Sequence, residues 1–307
     1  MMIGADFGFR TRQIRLSLRS ESERSRTNVT NNPDFDNDGN VDSGSQILNM
    51  DSITMTSHFQ SLFQRLARNQ RIVATALAAT FIGVPVLRAA ALDYREYIKI
   101  GPGGVPYNVF GWLIQLCLRP ITKEAFHTSC YDGARAIREA GPNASSAFLS
   151  KDDVPVRRSP RPEVGRWTVP SRQLTDLADE EMKKRYHEFL ESLVSSSPSQ
   201  LKIAQSFAEG RGPALFIASD DPLHPVAWWA RKEITHMHVS DGSMHLNLAP
   251  KDAKLVLERG WGQRHPLSGR MLYTGLLMIY APRGEEELEV VKGITRASIR
   301  FMLGEEA

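Results

Sequence analysis

The 307-residue chain has only two cysteines, Cys117 and Cys130. They build neither a disulfide framework nor a C-x-x-C metal motif, which excludes a disulfide-stapled scaffold and a thiolate zinc site and leaves two ordinary thiols. Excess charge of one sign is scarce too: 38 Lys and Arg against 35 Asp and Glu give a net charge of +3. That is too little to mark a nucleic-acid surface, so no nucleic-acid partner is expected. Apolar periodicity is missing from residues 1–55, which are rich in Ser, Asn, Asp, Arg and Gly. Such a composition cannot offset the entropy of ordering, and a disordered tail is expected there. Within it Asp34, Asp36, Asp38, Gly39 and Asp42 imitate a calcium loop, but Ser45 stands where the bidentate Glu belongs, so no calcium site is expected.

Long apolar runs are few, and the longest lies near the start. Residues 56–71 place Phe59, Leu62, Phe63 and Leu66 on one helical face, with Arg65, Arg68 and Arg71 near its end. Ile72 to Leu87 then carries no charge, and the run resumes after Arg88 as far as Leu92, approaching the roughly 20 residues that cross a bilayer. Residues 56–92 are therefore expected to form an amphipathic segment and an uncleaved, single-pass membrane anchor, with a buried core helix as the alternative. The membrane is a partner on this reading, and the expected location is an endomembrane such as the endoplasmic reticulum. Residues 105–121 form a shorter apolar stretch, suited to lie on a membrane or under the main domain. Two glycosylation sequons occur, at Asn28 and Asn143.

Residues 93–307 read as one domain. Between positions 152 and 172 fall Pro155, Pro160, Pro162 and Pro170 together with Arg157, Arg158, Arg161, Arg166 and Arg172. This basic, Pro-rich connection is expected to be a solvated loop, with contact to anionic lipid or an acidic substrate as the alternative. A helix is predicted over 174–194, a buried strand over 214–218, and a short helix opened by Pro250 and closed by Gly260. A second strand over 276–281 and a closing helix over 285–303 complete an α+β fold: a small, mostly antiparallel sheet packed by helices, plus one N-terminal transmembrane helix.

Four of the eight histidines fall within residues 233–269. Residues 233–239 and 244–248 alternate like strands, and Asp241-Gly242 between them is a strong hairpin signal. A two-residue loop pairs Val239 with Met244, His238 with His245, Met237 with Leu246 and His236 with Asn247. Period-two alternation then puts His236, His238, His245 and Asn247 on one face, opposite Met237, Val239, Met244 and Leu246. Three imidazoles on one patch fit a metal site, an acid/base site or a solvated polar face. Residues 260–266 (GWGQRHP) describe a shaped loop that can hold an aromatic wall, a cation and a titratable group, or simply be anchored by Trp261.

Lys232 to His238, His245-Leu246, Gly260 to Leu267 (GWGQRHPL) and Tyr280-Ala281-Pro282-Arg283 together resemble the fungal luciferases, and the similarity extends upstream through Arg161-Pro162 and Tyr94–Gly111 to the apolar anchor. The resemblance implies an enzyme: an oxygenase that adds molecular oxygen to a 3-hydroxy-2-pyrone of the 3-hydroxyhispidin type, forms a peroxide, loses carbon dioxide and leaves an excited product able to emit light. It implies a reaction without flavin, haem or metal, oxygen being a co-substrate. A site of that kind needs a base near neutral pKa, for which His238 or His245 is the first choice, with His236 beside them. Arg264 and His265 are expected to stabilise enolate or peroxide charge. Trp261 is expected to stack on the flat substrate, with Asn247 and Gln263 also binding it. Asp241 is expected only to make the turn. The segment Arg270 to Ile279 departs from the Gly- and Pro-richer pattern of the light emitters. Open beside this reading stand a non-luminescent homologue acting on another polyketide or phenolic, a metal-dependent enzyme using His236, His238 and His245, and a membrane-anchored binding protein.

Overall fold

A computed structural model describes residues 44–219 and 223–307. The readings made on residues 1–43, including the calcium-like loop and the Asn28 sequon, lie outside the described residues. The chain divides into two compact units, residues 1–74 and 75–307. In the first, helix α1 (Gly44–Arg68) begins ahead of position 55, within the stretch expected to be disordered. Its apolar residues Phe59, Leu62, Phe63 and Leu66 are exposed. Helix α2 (Gln70–Lys99) carries the long apolar run; it is long and apolar enough to cross a membrane, and none of its most apolar window is buried.

In the second unit α3 (Val109–Leu118), α4 (Ala134–Ala140) and α5 (Glu180–Ser196) precede the strands β1 (Leu201–Gln205) and β2 (Pro213–Ile217). Then come α6 (Pro225–Trp229), β3 (Glu233–Met237), β4 (Met244–Asn247), α7 (Pro250–Glu258), β5 (Gly262–Arg264), β6 (Leu276–Ile279) and α8 (Glu285–Met302). The six strands form one sheet in the order β1-β2-β3-β4-β6-β5, every pair antiparallel. The α+β expectation is met. Strand β1 went unrecognised because only Leu201 of its residues is buried, which leaves no alternation to read. The stretch expected as a loop around Trp261 yields β5, an edge strand on β6.

One face of the sheet makes the core. Leu215, Ile217, Met237, Met244, Leu246, Leu277 and Ile279 are buried with Tyr186, Phe189 and Leu190 of α5 and Leu288, Val291 and Ile294 of α8. Each such side chain contributes about 1.5–3 kcal/mol when fully buried. Two hydroxyls fix the helices on the sheet: Tyr186 Oη lies 3.0 Å from Thr295 Oγ1 and 3.5 Å from Thr235 Oγ1. Asn143 is also buried, its amide donating to the carbonyls of Phe301 and Glu305, so the folded chain does not present this sequon.

The other face is roofed by the basic connection, which is not a solvated loop. Gly165 N–H donates to Arg172 C=O, and Val164 and Gln173 form a bridge, folding residues 164–173 into a strap. Arg157 and Arg172 are 6% and 3% exposed, and Arg161 donates to the carbonyls of Leu257 and Gly262. Only Arg158, Arg161 and Arg166 of the five keep their side chains at the surface. The prolines explain the irregular path; the arginines are drawn in by backbone carbonyls and carboxylates that would otherwise lack donors.

Two neighbours hold the strap. Trp167 sits edge-on to Tyr97 at 5.5 Å between ring centroids. Gln115 of α3, fully buried, accepts from Thr168 N–H at 2.8 Å and donates to the Val169 carbonyl. Replacing Gln115 by Ala leaves two backbone groups of the strap unpaired, at roughly 1–3 kcal/mol each. In Gln115→Ala, hydrogen exchange measured by mass spectrometry should accelerate at Thr168 and its neighbours while β3 and β4 stay protected. Unchanged exchange at Thr168 would mean that α3 does not hold the roof.

Candidate active site

The hairpin of β3 and β4 pairs His236 with His245, Met237 with Met244 and Thr235 with Leu246. This is two residues away from the register expected from a two-residue loop. The loop is longer because Asp241 closes it: its carboxylate accepts from Ser243 N–H at 2.8 Å and from the Ser243 hydroxyl, and His238 N–H reaches Ser243 C=O at 2.8 Å. Gly242 sits in the loop at φ +79°, where a Cβ would come within 2.5 Å of Ala178. A shift of two is one full pleat, so the faces are unchanged. His236, His238 and His245 still share a face, with centroid separations of 5.3, 5.4 and 4.8 Å, and His265 joins them 5.0 Å from His245.

These four rings lie at a cavity of about 480 Å³, within the range of small-molecule sites. Its walls come from the strap (Val169, Pro170, Ser171, Arg172), from Phe207 and Glu209, from Trp229 and Ala230, and from Leu267, Leu272, Tyr273 and Leu276. Asn247 lines it as well.

Each histidine of the hairpin has its Nδ1 matched to an acceptor. His236 Nδ1 lies 2.7 Å from Glu233 Oε1, and His245 Nδ1 lies 3.2 Å from the Leu277 carbonyl. His238 Nδ1 lies 2.9 Å from Ser243 Oγ, whose own proton goes to Asp241. A carboxylate, a carbonyl and a hydroxyl already donating elsewhere can only accept, so in the neutral rings the proton sits on Nδ1 and the lone pair on Nε2. His238 Nε2 is buried with no hydrogen-bond partner. His265 is the reverse: its Nδ1 accepts from Leu267 N–H at 3.1 Å, which places the proton on Nε2 as a donor.

Glu233 reaches this face through an irregularity. Thr235 pairs with Leu215 but Glu233 with Phe216, so Ile234 is an extra residue and the alternation is reset. Burial pushes the Glu233 carboxyl up, but His236, Ser206 and the N–H of Ala208 outweigh it and hold the pKa below the ordinary value. Arg172 supplies a cation at the cavity wall. It pairs with Glu209, and its Nε, without a hydrogen bond, stands 3.9 Å from Asp241. Glu233, Arg172, Glu209 and Ser243 were not identified as site residues from the sequence, and Asp241 does more than make the turn. A bulge and a strap folded over the sheet leave no periodic mark; the only usable signal was the clustering of buried-type polar residues beside histidines.

Three residues expected at the site, Arg264 as a charge stabiliser and Trp261 and Gln263 as substrate contacts, lie elsewhere. Arg264 pairs with Leu277, which pairs with Leu246, so alternation puts its side chain on the face opposite His245, where it donates to the carbonyls of Ser268 and Glu124. Trp261 is 4% exposed and packs in the core, its Nε1 donating to the Pro155 carbonyl. Gln263 shares the histidine face but accepts from Tyr280 Oη and does not line the cavity.

Burial depresses the pKa of His238 and His245 well below the ordinary value, aided by the neighbouring imidazoles and Arg172. Burial and His236 bring His265 down to about 4. The folded state therefore holds neutral rings where the unfolded chain would take up protons, so their stabilisation is complete above pH 6.5 and is lost as pH falls toward 4. For His265 alone the loss approaches about 3 kcal/mol by pH 4. Denaturant unfolding at pH 7 and pH 4 should show a drop in stability that is smaller in His265→Gln by about that amount; equal drops would contradict the burial of this ring.

A family model described as the Luciferase domain matches residues 231–298, the segment that carries all four rings. A luciferase of Neonothopanus nambi is 31% identical over 272 residues, covering 83% of this chain and 96% of the relative. Luciferases of Armillaria mellea and Armillaria gallica are each 32% identical, covering 78% of this chain and 91% of the relative. No solved structure matches. With relatives aligned over nearly their whole length and the domain match falling on the histidine hairpin, the chain belongs to the fungal luciferase family.

Proposed function

We propose that the chain is a membrane-anchored, luciferase-type oxygenase that adds molecular oxygen to an enolisable 3-hydroxy-2-pyrone and releases carbon dioxide, with light as a possible output of the excited product. The carrying observation is the set of hairpin imidazoles whose Nδ1 atoms are matched to acceptors, leaving their Nε2 atoms without a protein donor at a partly apolar cavity in a chain of this family. An enolic hydroxyl loses its proton to such a nitrogen, most simply to that of His238, which has no partner inside the fold. Arg172 stabilises the enolate and the peroxide that follows, taking the part first expected of Arg264, and His265 Nε2–H donates to the developing oxygen charge. The apolar walls keep water from the peroxide and from the excited carbonyl product.

A dark homologue with a different flat substrate is favoured by one observation. Leu272, Tyr273 and Leu276, all from the segment that departs from the light-emitting pattern, form part of the cavity wall. The chemistry is common to both readings, and only the substrate and the photon yield differ.

For the anchor, the support is the exposed apolar surface of α2 and the neighbouring exposed residues Val109, Phe110, Leu113 and Ile114 of α3. Expressed in a eukaryotic cell, the chain should stay in the membrane pellet after alkaline extraction; release to the supernatant would remove the anchor from the proposal.

The purified full chain given 3-hydroxyhispidin and related hydroxypyrones should consume oxygen and release carbon dioxide in equal amounts, with photons counted in parallel. His238→Ala should slow uptake by roughly 10²–10⁴-fold, and Arg172→Met should lower kcat more than it raises KM. Oxygen uptake no faster than without enzyme, across the panel, would overturn the reading.

A further inference from the structure

We propose that His236, His238 and His245 bind one divalent first-row transition-metal ion through their Nε2 atoms. The resemblance to the light emitters implies a metal-free reaction, and the geometry points elsewhere. One candidate ligand nitrogen from each of the three rings lies within 4.8 Å of the other two. Each Nδ1 is matched to an acceptor, Glu233, Ser243 or Leu277, and among the described residues no protein group donates to any of the three Nε2 atoms. Three ring nitrogens without a protein donor thus gather at one cavity, an arrangement that a positive charge among them would stabilise. A proton serves only one of the three nitrogens; a metal ion takes all three lone pairs at once.

The surroundings fit a metal centre. Ligating histidines generally give their other ring proton to a carboxylate or backbone carbonyl, which fixes the tautomer and raises basicity. Glu233 does this for His236, and it is itself held by Ser206 Oγ and the N–H groups of Phe207 and Ala208. Asp241 does the same for His238 through Ser243. Nitrogens each ~2.1 Å from one ion at tetrahedral angles stand roughly 3.4 Å apart, so ring movements of about 1 Å close the set. Neutral imidazoles suit zinc, copper, iron and nickel alike. His265 is excluded as a ligand because its Nε2 carries the proton. Three ligands leave positions open toward the cavity. On the oxygenase reading above, on which this step rests, the adjacent hydroxyl and carbonyl oxygens of a 3-hydroxy-2-pyrone fill two of them as a chelate; with the ion bound, its charge replaces the His238 lone pair in acidifying the enolic hydroxyl, and the proton passes to solvent.

The test uses the full chain in detergent, with any affinity tag removed, and reads metal without substrate. Elemental analysis should find about one equivalent after expression in metal-supplemented medium. After removal by a chelator, cobalt(II) should rebind at one equivalent with visible absorption bands that saturate at that ratio. His236→Ala, His238→Ala and His245→Ala should each abolish the saturating bands, Glu233→Gln should weaken cobalt binding by roughly 10–100-fold, and His265→Gln should leave both stoichiometry and spectrum unchanged. Should the alanine variants fail to fold, the wild-type titration and Glu233→Gln still decide. No equivalent bound from cobalt, zinc, iron(II) or manganese, an unaltered spectrum in His238→Ala, or an unaltered cobalt affinity in Glu233→Gln, overturns the site. An empty site with oxygen uptake intact would leave the oxygenase standing, and a filled site without uptake on any pyrone would remove the oxygenase and leave the metal.

Discussion

The constraint on which the rest depends is the pairing of three imidazoles, His236 and His238 buried and His245 partly so, with three acceptors on their Nδ1 side. Burying a histidine cluster is costly unless each ring's proton has a place to go. Glu233, Ser243 and the Leu277 carbonyl provide those places from β3, the hairpin loop and β6. Each comes from a different structural device: a bulge, an Asp-closed loop and an ordinary ladder strand. The outcome is one neutral tautomer for all three rings, which line the same cavity.

Much of this was legible in the sequence, and the reason is the pleat. Alternation put His236, His238 and His245 on one face even though the register was off by two, because an even shift preserves the face. The same rule, applied past Gly262, would have separated Arg264 from His265 and Gln263, had the Gly-Trp-Gly run been read as the approach to an edge strand. Two glycines and a proline suggested a loop, and backbone pairing to β6 overrode them. Trp261 was attractive as a stacking wall because aromatic rings often line sites. Here its indole is consumed by the core and by the Pro155 carbonyl.

The roof was hidden for a different reason. Basic, Pro-rich segments are ordinarily solvated, and nothing local distinguishes Arg172 from Arg158. Their difference is made by partners far along the chain: Glu209 and Asp241 for Arg172, which is buried, and no such carboxylates for Arg158, which stays at the surface. A guanidinium so enclosed by carboxylates is held in place, and it faces the cavity with a charge that favours anions. The roof is in turn set by Gln115 and Trp167, which rest on α3 and the end of α2. The cavity's closure therefore depends on the segment that follows the apolar helix, although the chemistry-bearing groups come from the sheet.

That division of labour separates reaction from substrate. The hairpin's imidazoles and their acceptors sit on paired strands, where a displaced residue disturbs a ladder. The shape of the cavity is set by the strap and by Leu267, Leu272, Tyr273 and Leu276. Leu272 lies between β5 and β6 outside any strand and is only half-buried, so its replacement alters the wall with least effect on His245 or His265, whereas Tyr273 is tied to the core and to the Leu248 carbonyl. A family built this way can keep one oxygen chemistry while changing the molecule it acts on. The departures of Arg270 to Ile279 fall on that adjustable wall. They bear on which pyrone or phenolic enters, and on how tightly an excited product is screened from water, rather than on whether the four rings can act together.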